Sequence, residues 1–199
     1  MHNFIVIHSR GKDIPEKQLG AIVTEIKSLI NDSDLQILPL ALHLLTQILT
    51  VNKASLGAVK SECFPPVFQT IKSPLLQGSS LKSLLELFSV SVSLDAGLFA
   101  QLLTSLQEPL HSADNPLNLS SSKQPFSSIA QSVAVICQAS PSNTAGTIQK
   151  FIALPKVSSA IKASSDAIDS TNDCLQKSGA TDSDKYLGLL TLGEIGRLK

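Results

Sequence analysis

Apolar residues recur at three- and four-residue steps along most of this chain. Leu19, Ile22, Val23, Ile26, Leu29 and Ile30 form one such series, with Lys17, Gln18, Thr24, Glu25 and Lys27 on the other face. The spacing predicts an amphipathic helix that ends near Asn31, and Pro15 suits its first turn, where a missing N–H costs nothing. Residues 31–34 read as a turn in which Ser33 or Asp34 caps the next helix. That helix runs to about Val51. Its apolar positions (Leu38, Ala41, Leu42, Leu44, Leu45, Ile48, Leu49) cover more than half the circumference, so it is expected to be buried between neighbours. Pro39 requires either that the helix begin at Leu38 or Pro39, or that it kink there.

The pattern then repeats. Ser55 opens a helix carrying Leu56, Val59, Phe64, Val67, Phe68 and Ile71, which Pro65 and Pro66 bend or restart. The turn SPLLQG at 73–78 follows, and then a helix from about Ser79 or Ser80 to Leu94 with Leu81, Leu84, Leu85, Leu87, Phe88 and Val92 inward. Asp95 caps a third opener holding Leu98, Phe99, Leu102, Leu103 and Leu106, ending at Pro109 or shortly after. Residues 111–124 are a polar loop, expected to be exposed and mobile. The partner helix spans 124–139, with Phe126, Ile129, Ala130, Val133, Ala134, Ile136 and Cys137 facing in. A fourth pair opens near Ser142 with Ile148, Phe151, Ile152 and Leu154, and closes with a helix over 183–197. Between these two helices lies a Ser/Ala/Asp-rich insert, 155–182, where a loose helix or disorder is expected.

Second helices thus open near Asp34, Gly78, Gln124 and Ser183. The first two intervals fall within the range of about 40–47 residues for HEAT-type repeats. A pair of this kind cannot bury its apolar faces alone, and stacking builds one continuous core. The expected fold is all-α, a HEAT/armadillo-type α-solenoid of about four helix pairs (about 15–51, 55–94, 95–139 and 142–198) in a single segment, 1–199. Residues 1–11 (Phe4, Ile5 and Ile7, closed by Gly11) read as the remnant of a preceding repeat, with a short β-strand as the rival. A compact helical bundle is the alternative architecture. In a segment of solenoid, the first and last helices are expected to expose apolar faces that neighbouring repeats would cover.

Composition narrows the core. Hydrophobic residues make up 43% of the chain, yet it has no Trp, one Tyr and one Met, so Leu, Ile, Val and Ala must fill the interior. That favours helix-on-helix packing over a β-sandwich. Lys+Arg and Asp+Glu both number 16, and no basic excess marks a nucleic-acid binder. No run of 18 apolar residues suggests a membrane span, so a soluble chain is expected. Cys63, Cys137 and Cys174 are odd in number and far apart, which reads as reduced thiols in an intracellular protein.

Chemistry is hard to find. The histidines (His2, His8, His43, His111) are dispersed without metal-ligand spacing. His43 lies in the apolar helix, where a hydrogen-bonded core or edge histidine is the ordinary reading. Cys63 has no histidine nearby in sequence and reads as a small buried hydrophobe. Glu16, Glu25, Glu86 and Glu194 fall mostly on polar faces. No phosphate-loop, dinucleotide or nucleophile-elbow motif occurs, and Gly188, Gly193 and Gly196 are expected to permit close helix packing. No catalytic, cofactor-binding or metal-binding residue is assigned, and no cofactor, small-molecule substrate, nucleic acid or membrane is expected as a partner.

Ser33–Asp34 followed by Leu44, Leu45 and Thr46, then Lys72 with the SPLLQG turn, resembles the middle of the cullin-associated neddylation-dissociated protein family. Ser127, Ile129 and Ala130, then Gln149, Phe151 and Ile152, look like its following repeat. LLTLGEIG at 189–196 is similar to the family's L-L-x-L-G-E-[VI]-G run. The resemblance covers most of 20–198 in the same order, with the SPLLQG turn and the LGEIG helix as its specific parts. It implies a HEAT solenoid that wraps an unmodified cullin with its RING subunit, in the cytoplasm and nucleus. It further implies competition with adaptor–receptor modules, so that receptors are exchanged among cullin-RING ubiquitin ligases, without catalysis. The insert 155–182 is longer than the family spacing. The matching runs are turns and core, so no partner-binding residue is carried over. Two other readings stand beside this one. An importin-like HEAT adaptor unrelated to cullins is distinguished by flanking repeats, and an enzyme by a pocket joining Cys63 to His43 or His111.

Overall fold

The computed structural model describes residues 16–111, 116–117, 119–120, 122–153 and 181–198. The expected remnant at 1–11 and residues 155–180 of the insert lie outside these, as do His2, His8, Leu154 and Cys174. The chain divides into two compact units, 1–101 and 102–199. Both are all-helical among the described residues, of the HEAT-like α-solenoid class.

In the first unit, α1 (Glu16–Leu29) is followed by α2 (Ile37–Val51). The connecting turn is held by side chains. Asn31 Oδ1 accepts from the Ser33 N–H at 3.0 Å, and Asp34 Oδ1 accepts from the N–H groups of Gln36 (2.9 Å) and Ile37 (3.1 Å). Asp34 therefore satisfies donors that the first turn of α2 cannot pair internally. Pro39 falls within that same turn, so its missing N–H costs no ladder bond and the helix needs no kink.

A short 3₁₀ turn (Lys53–Ser55) leads into α3 (Leu56–Glu62), and α4 (Phe64–Thr70) begins anew with Pro65 and Pro66 in its first turn. The two prolines restart the helix. Next, α5 (Gly78–Leu94) begins one residue before the sequence pattern places it. In the turn ahead of it, Ser73 Oγ accepts from the Leu75 N–H at 3.2 Å, while Leu76 is buried beneath as an apolar plug. Gly78 then takes a φ of 56°, the left-handed conformation that L side chains resist.

Stacking in this unit follows the repeat. The first helices meet each other, α1 on α3, and the second helices meet each other, α2 on α5. Phe64 and Phe68 of α4 close on Phe88 of α5 with ring centroids 6.0–6.1 Å apart, two contacts edge-on and one stacked. Such aromatic pairs add about 0.5–1.5 kcal/mol each beyond the area they bury. The Lys27–Glu62 pair (2.9 Å) ties α1 to α3 but is 47% and 41% exposed, so it contributes about 0–1 kcal/mol.

The unit boundary falls within α6 (Leu98–His111), and the second unit takes up the rest of it with α7 (Gln124–Ala139), α8 (Pro141–Ala153) and α9 (Asp182–Arg197). Asp95 Oδ1 accepts from the Gly97 N–H at 2.9 Å ahead of α6, as expected of a cap. The inward set named for α7 is buried throughout. Helix α9 packs along α7 and touches α8, with Phe126 and Tyr186 edge-to-face at 5.6 Å. Its start is a capping box. Thr181 Oγ1 accepts from the Asp184 N–H at 3.2 Å, and Asp184 Oδ2 accepts from the Thr181 N–H at 2.8 Å.

One glycine expectation fails here. A Cβ built on Gly193 or Gly196 meets nothing within 4 Å, and both residues are exposed. They lie on the side of α9 away from the α7 contact, so they do not mediate close packing, whereas Gly188 is buried. Thr191 is fully buried in the same helix, and its hydroxyl has no hydrogen-bond partner among the described residues.

Three substitutions test this account. Gly78→Ala meets open space but a strained backbone, and is expected to lower the unfolding free energy by about 1–2 kcal/mol in denaturant titration. Gly193→Ala, at an ordinary helical position in open space, is expected to raise it by about 0.5–1 kcal/mol. Thr191→Val keeps the shape and removes the unpaired hydroxyl, and should raise the melting temperature; a fall would mean that the hydroxyl bonds an ordered water.

Candidate functional site

Each described residue with possible chemistry has a structural position that explains it. Cys63 sits at the junction of α3 and α4 with no exposed surface, and its thiol donates to the Val23 carbonyl across 3.6 Å. Burial pushes the thiol from an ordinary 9.0 up to about 11; the Glu62 carboxylate adds to the rise and the Lys27 ammonium opposes it. A nucleophile needs thiolate, and this environment suppresses it. Cys137 on α7 is likewise buried and raised, against the opposing hydrogen bonds of Thr147 and Thr144. The groups acting on Cys63 are thus a carbonyl, a carboxylate and an ammonium, and the histidine that a catalytic pair would need is not among them.

His43 is an edge residue. It is 41% exposed, and Nδ1 stands 3.8 Å from Glu86 Oε2, which aligns α2 with α5 loosely. His111, at the end of α6, brings Nε2 to 3.3 Å from Asp184 Oδ1, the carboxylate that also closes the capping box. Sequence reading missed both features: the Thr181-x-x-Asp184 spacing signals a capping box, whereas nothing local in the sequence links His111 to Asp184. The carboxylate readings hold where described: Glu25 is exposed, Glu86 faces His43, and Glu194 pairs with Arg197 at 2.6 Å. Among the described residues no group of three His, Cys, Asp or Glu side chains could hold a metal ion, and no helix is long and apolar enough to cross a membrane.

What the molecule does offer is apolar surface. In the second unit a cleft of about 270 Å³ opens where the ends of α7 and α9 meet the start of α8, lined by Ala134, Cys137, Pro141 and Ile195 among others, with no charged side chain. In the first unit α2, expected to be buried between neighbours, leaves part of its apolar circumference exposed. Ile37, Leu40 and Val51 are 39%, 68% and 47% exposed, because among the described residues the helix is covered on the arc that carries Leu38, Leu42, Leu45 and Leu49. On α9, Leu189 is exposed. Such surfaces suit contact with another protein better than the binding of a polar substrate.

The buried thiol carries a pH signature. The folded chain keeps the Cys63 proton to higher pH than the unfolded chain does. Its contribution, about 2–3 kcal/mol, is therefore complete below pH 9 and lost as pH rises toward 11. Unfolding free energy measured from pH 8 to 11 should fall less steeply for Cys63→Ala than for the parent; equal slopes would contradict the burial argument.

No family model matches the chain. Curated proteins do. It is 31% identical over 198 residues, 98% of its own length, to cullin-associated NEDD8-dissociated protein 1 of Arabidopsis thaliana. It is 39% identical over 128 residues, 62% of its length, to the protein of the same name from Dictyostelium discoideum. Against cullin-associated NEDD8-dissociated protein 2 of Mus musculus it is 25% identical over 146 residues, 72% of its length. The chain spans 14%, 10% and 12% of these relatives, respectively. Continuous likeness over nearly its whole length, joined to an all-helical repeat fold, shows that the chain belongs to the family of cullin-associated NEDD8-dissociated proteins.

Proposed function

We propose that the chain is a protein-interaction module of a cullin-binding factor, acting by surface contact and not by catalysis. The observation that carries this reading is the 198-residue likeness to a relative named for cullin association. The inert environment of Cys63 and the apolar surface on α2 agree with it. In this reading the module contributes to gripping a cullin that carries its RING subunit and lacks the ubiquitin-like modifier, in the cytoplasm and nucleus. Occupying that cullin competes with adaptor–receptor modules, so release lets a different receptor enter and the ligase is reassembled. The work is steric and allosteric, and it requires no cofactor. Because the chain spans 14% of that relative, its share of the contact is one part of a larger grip.

The test is capture of cullin–RING complexes on the immobilised 199-residue chain, with the modified form as control. Selective retention of the unmodified complex is expected. Capture of neither form by a chain verified as folded would remove direct contact from this segment and leave it a spacer between binding regions.

A further inference from the structure

We draw no further inference here: the strongest candidate, the uncharged apolar cleft of about 270 Å³ where the ends of α7 and α9 meet the start of α8, carries none because nothing in the structure shows what covers it.

Discussion

Everything in this chain depends on apolar surface that no helix pair can cover by itself. Second helices such as α2 and α5 carry too many leucines for one contact, so each must be covered from the first-helix layer and from the neighbouring second helix. The Phe64–Phe68–Phe88 cluster is where the two layers of the first unit lock together. Hydrogen bonds and ion pairs decide where helices begin and how they are aligned. Burial decides that they stack.

The same constraint explains the surroundings of the described residues that seemed reactive. Cys63 is placed to fill space beneath α1, and filling that space strips the thiol of the solvent that an ionised sulfur needs. His43 and Glu86 stand at the edge between stacked helices, exposed enough that their pairing adds little. On the proposed reading, a protein of this kind works through the shape and chemistry of helix faces, and its polar side chains mainly keep those faces in register.

Much of this was legible in the sequence because the period of the apolar residues matches the period of the helix. Helix α7 runs over the residues its pattern marks, and Asp34 caps α2 as its place before an apolar run suggests. Pro65 and Pro66 restart a helix for the reason their rings dictate. The misreadings share one origin. Periodicity tells which residues want cover and says nothing of whether cover is there. Helix α2 reads as buried between neighbours because apolar residues cover most of its circumference, and Gly193 and Gly196 as packing glycines because they are small, yet both judgements depend on a neighbour that a single helix does not encode. The His111–Asp184 clasp was invisible for a related reason, since its partners lie 73 positions apart.

The capping box at Thr181 and Asp184 makes the start of α9 a local instruction. Four consecutive residues supply the partners for the first turn, and the His111 contact ties that turn to the end of α6. The helix therefore finds its register from its own beginning, whatever length of chain leads to it. A change of chain length ahead of Thr181 therefore leaves this capping pair, and with it the local start of α9, intact.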